Sequence, residues 1–215
     1  MNVIVTGASG GIGRAIALRF LQAGDRVSGL DLLEGSIDLP GYSHYLCDLR
    51  QPELPDLPEA EILVSCAGTL EEDEAIRVNL LGAMAFAERY MVSPKLRSIL
   101  FIASASARNG AEFPRYVASK AGLVGYMKNL ALAVAPRGVT CNSISPGGVI
   151  TQANRHILED PELYAAVLRE TLLGKWAEPE EVAELAYYLT AVNRSITGED
   201  ILMDNGEMLK SNFIW

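Results

Sequence analysis

Basic residues, histidine and cysteine are all scarce in this sequence, and each shortage narrows what the chain can do. Its 215 residues include 18 lysines and arginines against 27 aspartates and glutamates, which gives a net charge of -9. A nucleic-acid-binding surface needs a basic footprint, so we expect no nucleic-acid partner. The two histidines, His44 and His156, are isolated from each other, so we expect no catalytic metal.

Long apolar runs are lacking too. No stretch approaches the ~20 apolar residues of a membrane-spanning helix, and a strand-like run begins directly after Met1, which leaves no room for a signal peptide. The cysteines, Cys47, Cys66 and Cys141, are odd in number and lie in or beside apolar runs, which indicates reduced thiols. We therefore expect a cytoplasmic protein without membrane contacts. The 49% hydrophobic content suffices for a single α/β domain over residues 1–215.

Strand-like and helix-like segments alternate along the chain. Short apolar, often β-branched runs predict strands, and apolar residues at helical spacing predict the helices between them. The predicted strands lie near 2–6, 26–30, 43–47, 61–65, 98–103, 139–144 and 200–203, and the predicted helices near 12–23, 73–91, 115–135 and 179–191. This order predicts a Rossmann-type α/β fold, with a doubly wound, mostly parallel seven-stranded sheet.

A glycine cluster joins the first predicted strand to the first helix. Gly7, Gly11 and Gly13 have the spacing G-x-x-x-G-x-G, in which absent side chains allow a tight turn and let a pyrophosphate approach the helix N-terminus. The second strand ends at Asp31, whose carboxylate can accept hydrogen bonds from an adenosine ribose. A 2′-phosphate would be repelled there, and no arginine or lysine directly follows. The sequence therefore predicts a dinucleotide site that prefers NAD(H) to NADP(H).

A tyrosine and a lysine four positions apart are the second informative feature. Tyr116 and Lys120 lie on one face of a predicted helix, where the ammonium group favours the phenolate and the tyrosine can exchange a proton with a substrate oxygen. Ser104 ends the preceding strand, at the edge where ligands of open α/β sheets bind. Ser106, farther into the loop, is the alternative hydroxyl for orienting a substrate carbonyl. The Tyr-x-x-x-Lys pair alone is weak evidence, because many helices contain one by chance.

Several motifs in this order resemble those of the short-chain dehydrogenase/reductase family, along nearly the whole chain. Ser104, Tyr116 and Lys120 resemble the family's catalytic residues, and Asn79 in Val-Asn-Leu-Leu-Gly resembles its helix asparagine. The resemblance implies an NAD-dependent oxidoreductase that acts on an alcohol or carbonyl substrate. In that reading Ser104 orients the substrate oxygen, Tyr116 exchanges the proton, Lys120 holds the nicotinamide ribose, and Asn79 anchors a water that relays protons.

The resemblance also implies a set of cofactor contacts. Asp48 resembles the family's adenine-contacting acid, and Thr151 would lie beside the nicotinamide carboxamide. The full implied set is Gly7, Ser9, Gly11, Ile12, Gly13, Asp31, Asp48, Leu49, Ala67, Gly68, Tyr116, Lys120, Pro146, Gly147, Val149 and Thr151.

The chain departs from the family pattern in places. Cys66 replaces an asparagine before Ala-Gly, and the segments 31–48 and 48–62 are short, which predicts that two peripheral helices are shortened or missing. The family implies a substrate lid at about 149–178 and a homodimer or homotetramer.

The apolar and small residues in the predicted helices 73–91 and 115–135 favour such subunit contacts. They include Ala83, Ala85, Ala87, Val124, Leu130 and Leu132. The tail 211–215 could add a second contact.

Two alternatives stay open. The chain could be a dinucleotide-binding regulatory or structural subunit without catalysis, or it could use NADP(H) for the same chemistry. The substrate itself is not predicted.

Overall fold

One seven-stranded sheet organises the protein. The computed structural model describes residues 1–51, 53–111 and 113–209. The strand order is β3-β2-β1-β4-β5-β6-β7, and each neighbouring pair is parallel. The strands are β1 (Asn2–Thr6), β2 (Arg26–Asp31), β3 (Tyr42–Leu46), β4 (Ile62–Ser65), β5 (Ser98–Ile102), β6 (Thr140–Pro146) and β7 (Asp200–Met203). The predicted doubly wound sheet is confirmed, and it is fully parallel rather than mostly so.

The four predicted helices are present, and three more occur among the described residues. The helices are α1 (Gly11–Gln22), α2 (Glu72–Ala75), α3 (Ala83–Tyr90), α4 (Ser106–Asn109), α5 (Pro114–Val134), α6 (Arg155–Leu158), α7 (Pro161–Arg169) and α8 (Pro179–Tyr187). A π-helical segment, Ile76–Gly82, joins α2 to α3, and a second, Tyr188–Val192, follows α8. The sequence analysis did not predict α4, α6 and α7, because short helices lack a sustained apolar period.

The core has two halves, one on each face of the sheet. Because alternate strand residues point to opposite faces, Val3 and Val5 pack with α1 and α8 while Ile4 packs with α3 and α5. Fully buried aromatic rings anchor the halves, Phe20 on one side and Phe86 on the other. Helices cover both faces, which is why the central strands are apolar throughout.

The predicted trimming of the periphery is also seen. Among the described residues, none between β2 and β3 or between β3 and β4 is helical. Prolines account for part of this, because they interrupt helical hydrogen bonding in the segment before β4. None of the helices in the described ranges is long and apolar enough to cross a membrane.

Candidate active site

The candidate site is a cleft at the carboxyl edge of the sheet, where the strand order reverses. The chain proceeds from β1 outward to β3 on one side and from β4 outward to β7 on the other. Ligands of open α/β sheets bind at such a switch point. The cleft has a volume of about 1040 Å³, which lies at the large end of the range for ligand pockets.

Most of the predicted site residues line this cleft. They are Gly7, Gly11, Ile12, Gly13, Asp31, Asp48, Leu49, Ala67, Gly68, Ser104, Tyr116, Lys120, Pro146, Gly147, Val149 and Thr151. Ser9 and Asn79 do not line the wall. They act on lining residues through hydrogen bonds.

The turn between β1 and α1 requires glycine for two separate reasons. Gly7 has a φ of +71°, and a Cβ there would lie 2.9 Å from the backbone of Ala67. A Cβ on Gly13 would lie 2.1 Å from the carbonyl oxygen of Gly7. Side chains at these positions would push the strand, the turn and the helix apart, so glycine keeps the helix start close to the sheet edge.

The N-terminus of α1 has the chemistry of an anion site. Its N-cap residue, Gly10, makes no side-chain capping hydrogen bond, and its first turn carries no acidic residue. Orphan amide groups and the helix dipole favour a phosphate at such a position. The helix start at Gly10–Gly13 therefore suits an anionic group such as a pyrophosphate.

Asp31 lies at the carboxyl end of β2, beside the glycine turn. One carboxylate oxygen accepts a hydrogen bond from the amide of Ser9 at 2.9 Å, and the other accepts one from the amide of Leu33 at 2.9 Å. Arg14 lies nearby, where its Nε donates to the hydroxyl of Ser36 at 3.1 Å. The carboxylate is therefore held in place by backbone amides, without a cation bonded to it in the described structure.

Asp48 has a partner that the sequence analysis missed. Arg50 donates to both carboxylate oxygens, at 2.8 Å to each at closest approach, and these hydrogen bonds hold the pKa of Asp48 down at about 2. Arg50 also lies 3.7 Å from Glu74. The spacing Asp-x-Arg was the available signal, because a side chain two positions on can fold back onto the carboxylate.

Lys120 is buried beside Tyr116. It is 5% exposed, its Nζ donates to the carbonyl oxygen of Ile102 at 2.9 Å, and it lies 5.8 Å from the centre of the Tyr116 ring. A buried ammonium group needs such acceptors. The carbonyl at the end of β5 thus fixes the charge between the sheet edge and the phenol.

Ser104 and Ser106 are hydrogen-bonded to each other. The Ser104 hydroxyl oxygen accepts from the Ser106 hydroxyl at 2.9 Å and from the Ser106 amide at 3.2 Å. A hydroxyl has two acceptor lone pairs and one proton. Because both lone pairs are used, Ser104 keeps its own proton for donation elsewhere. Both Ser104 and Ser106 line the cleft, just beyond the end of β5.

Asn79 lies within the π-helical segment and braces the loop after β4. Its amide nitrogen donates to the Thr69 carbonyl at 2.9 Å and to the Ser119 hydroxyl at 3.1 Å, and its oxygen accepts from the Thr69 amide at 2.7 Å. Both amide hydrogens are used. Any water that the side chain holds must therefore donate to its oxygen. Local π-helical geometry is frequent at functional sites.

The substitution at Cys66 is accommodated by Thr6. The Thr6 hydroxyl oxygen accepts from the amides of Cys66 and Ala67, each at 3.0 Å, so β1 and the loop after β4 stay joined without an asparagine. Burial raises the pKa of the Cys66 thiol to about 12. The thiol is therefore protonated at neutral pH. Among the described residues no cluster suited to a metal ion occurs.

The start of α5 has an acidic cap from another helix. Glu72 accepts from the amides of Arg115 and Tyr116, at 3.1 and 3.3 Å, and Asp73 pairs with Arg115. The acidic run at 71–74 thus caps the helix that carries the tyrosine, as well as beginning its own.

The predicted lid contains helices α6 and α7 and is joined to the cleft at its base. Val149 bridges to Ala177, and Trp176 covers Gly148, where a Cβ would lie 2.1 Å from the indole. Arg155 pairs with Glu159 at the surface, so its charge is already compensated.

Some of the predicted interface residues are buried within the subunit, and others are exposed. Ala83, Ala87 and Leu130 are buried in the subunit core, which corrects their assignment to subunit contacts, while Ala85 and Leu132 are exposed. Leu81 is exposed as well. The tail 211–215 lies outside the described residues.

Comparison with known proteins agrees with this architecture. A family model described as enoyl-(acyl carrier protein) reductase matches residues 66–207. The 2-dehydro-3-deoxy-D-gluconate 5-dehydrogenase of Pseudoalteromonas atlantica is 30% identical over 95% of this chain and 94% of its own length. The L-rhamnose 1-dehydrogenase (NADP(+)) of Thermoplasma acidophilum is 26% identical over 97% of this chain and 96% of its own.

A solved structure of a related protein is also similar to this chain. A short-chain dehydrogenase/reductase from Brucella melitensis, described as a glucose/ribitol dehydrogenase, superimposes with a TM-score of 0.86 at 26% identity over 96% of both chains. The fold, the ordered motifs and these similarities lead to one conclusion. The chain belongs to the short-chain dehydrogenase/reductase family of oxidoreductases.

Proposed function

We propose that this protein transfers a hydride between NAD(H) and an alcohol or carbonyl substrate. The observation that carries the proposal is that Ser104, Tyr116 and Lys120 line one cleft together with the glycine turn. The nicotinamide would supply or accept the hydride. The protein's own residues would orient the substrate and move the proton.

Tyr116 would give a proton to the substrate oxygen in reduction and take one from it in oxidation. The buried ammonium group of Lys120, held by the Ile102 carbonyl, favours the phenolate form electrostatically. Ser104 would donate its remaining proton to the same substrate oxygen, because Ser106 occupies its lone pairs. Asn79 would brace the Thr69 loop and accept a hydrogen bond from a relay water.

NAD(H) is the proposed cofactor because of Asp31. Its carboxylate would accept hydrogen bonds from the ribose hydroxyls of NAD(H) and would repel the 2′-phosphate of NADP(H). The Thermoplasma relative is named for NADP(+), so the preference has to be tested on this chain. Arg14 is the nearest cation on the first turn of α1, and Ser36 already engages it.

Residues 149–178 would close over the substrate within a single domain that spans 1–215. Loops of this kind set specificity and move on binding. Exposed apolar residues on the face of α5 and the π-helical segment, Leu132 and Leu81, support assembly of two or more copies.

The test is absorbance at the nicotinamide band with NADH or NAD⁺ and a panel of carbonyls and alcohols, with cofactor binding followed by fluorescence. Tyr116→Phe should bind NADH as the wild type does and lose turnover by about a hundredfold or more, because the acid/base group is gone. Tyr188→Phe, which removes an exposed hydroxyl after α8, is the matched control. Full activity of Tyr116→Phe would contradict the acid/base assignment. NADH binding without turnover on a broad panel would favour the regulatory alternative.

A further inference from the structure

A buried carboxylate joins the loop that follows Ser104 to the far edge of the sheet. Asp200 begins β7, and its side chain is 8% exposed. One of its oxygens accepts from the hydroxyls of Ser143 and Ser145, each at 2.7 Å. The other accepts from Arg108 Nε at 2.9 Å and from the Arg108 guanidinium NH2 at 2.7 Å, and Arg108 donates to the Asp200 backbone carbonyl as well.

Arg108 makes the side-chain hydrogen bonds that join α4 to β7. The backbone hydrogen bonds of α4 run between near neighbours, Ala107 to Ser104, Arg108 to Ala105 and Gly110 to Ser106. The helix has four residues and ends at Gly110 with a φ of +73°. So short a helix has little stability of its own. Its position therefore depends on what holds it from outside.

The same network reaches β6, whose carboxyl end borders the cleft. Ser145 precedes Pro146 and Gly147, which line the cleft, and Ala105 donates its amide to the Pro146 carbonyl at 2.8 Å. Arg108 and Asp200 thus tie α4, β6 and β7 together behind Ser104 without lining the cleft themselves.

We propose that Arg108 and Asp200 are positioning residues for catalysis, which hold α4 so that Ser106 occupies the lone pairs of Ser104 and directs the Ser104 proton toward the substrate. This inference rests on the proposed function. It adds two residues, from α4 and β7, to the machinery that the family motifs identify. A displaced α4 would free Ser104 to rotate, and small displacements of an orienting group are costly to the rate.

The strength of the pair follows from its burial. Exposed ion pairs contribute little, and Arg108 is 39% exposed. Asp200, however, is almost fully buried, and hydrogen bonds from a guanidinium to a carboxylate are charge-assisted, which makes them about twice as strong as neutral ones. Removal of Arg108 leaves a buried carboxylate with only hydroxyl donors, which is unfavourable. The strand end and α4 would shift to let water or another donor in.

The experiment compares Arg108→Gln with Arg108→Lys and with the control Arg19→Gln. Arg19 donates to Glu184 at 2.7 Å between α1 and α8, away from the cleft. We expect Arg108→Gln to lower kcat by about tenfold or more, on the first panel substrate that turns over, with the Kd for NADH within twofold of wild type. Arg108→Lys keeps the positive charge but not the two guanidinium donors, so its kcat should lie between those of Arg108→Gln and wild type. Arg19→Gln should leave kcat unchanged.

A double mutant with Ser106→Ala distinguishes a positioning role of Arg108 from a general loss of structure. If Arg108 acts through Ser106, Arg108→Gln should lower kcat by less than about twofold when Ser106→Ala is already present, because residues in one network are not additive. Equal losses of kcat in both backgrounds would overturn the proposal. If Arg108→Gln does not fold, Arg108→Lys is measured in the two backgrounds instead.

Hydrogen–deuterium exchange tests, without any substrate, whether Arg108 holds α4 in place. Amides of residues 104–111 should exchange faster in Arg108→Gln than in wild type. In Arg19→Gln, the exchange rates of the same amides should equal those of wild type. Unchanged exchange there would overturn the proposal even if kcat fell. A wild-type protein that neither binds NADH nor turns over any panel member would contradict the proposed function, while the exchange result would still show whether Arg108 orders α4.

Discussion

Asp31 is the residue with the most direct consequence for cofactor choice. Both of its oxygens are held by backbone amides, so its charge has a fixed position at the edge of the cleft. Replacing it with serine removes the repulsion of a 2′-phosphate. We expect wild type to bind NADH at least about tenfold more tightly than NADPH, a difference of about 1.4 kcal/mol, and Asp31→Ser to bind them nearly equally.

Fluorescence titration with each reduced cofactor measures this ratio. Asp38→Ser is the matched control, because it removes the same charge from an exposed position in the segment after β2. Wild-type affinity for NADPH equal to that for NADH would contradict the assignment of Asp31.

Asp48 makes a second residue-level prediction, which concerns pH. Hydrogen bonds from Arg50 lower its folded-state pKa to about 2, below the value of ~3.9 for an unfolded chain. The pair therefore stabilises the fold above pH ~4, and this contribution is lost as the pH falls from about 4 to about 2. We expect Asp48→Asn to lower the Tm at pH 7 and the difference from wild type to shrink progressively through that window.

Circular dichroism melts at a series of pH values test this. Asp56→Asn, at an almost fully exposed carboxylate, should show a smaller difference at neutral pH. A Tm difference for Asp48→Asn that is constant with pH would show that the ionised pair is not its cause.

At the scale of elements, the strand–turn–helix unit of β1 and α1 makes a steric prediction. Alanine at Gly13 would place its Cβ 2.1 Å from the Gly7 carbonyl oxygen, whereas alanine at Gly10 would have no heavy atom within 4 Å. Gly10 is also in extended backbone, with a φ of -153°. Gly13→Ala should lower the stability by about 1–3 kcal/mol, as overpacking does, and weaken NADH binding.

Urea denaturation and NADH titration of Gly13→Ala and Gly10→Ala provide the comparison. Gly10→Ala should lie within about 0.5 kcal/mol of wild type, as substitutions without a steric or polar conflict do. Equal stability of the two variants would mean that the close helix approach is not required.

Element packing also explains which parts of the site were predictable. The glycine turn, Asp31 and Tyr116 with Lys120 are local patterns within or beside one element, and all lie in the cleft as expected. The cap that Glu72 places on α5 joins residues more than forty positions apart. No periodicity or spacing carries that information, since it depends on how two helices meet.

For the whole molecule, the exposed face around Leu132 predicts self-association. Leu132 is 76% exposed on α5. If it lies at the centre of a subunit contact, a lysine in its place would strongly weaken association, because charged residues are depleted at the centres of interfaces. If this face forms the contact, Leu132→Lys should shift the protein to a smaller species in light scattering coupled to gel filtration. Leu173→Lys, equally apolar and 68% exposed in the segment after α7, should leave the mass unchanged. A wild-type monomer would contradict the prediction.

The sequence by itself determined the class of fold, the position of the cleft and the family. Hydrophobic alternation, the glycine spacing and the order of motifs are properties of short stretches of chain, and parallel βαβ topology follows from them with few alternatives. The tertiary structure alone decided that Ser106 donates to Ser104, that Thr6 takes over bracing beside Cys66, and that Arg108 meets Asp200 across 92 positions. Such pairings exist only once the sheet and its helices have packed, because packing sets which distant polar groups are buried together and must satisfy one another.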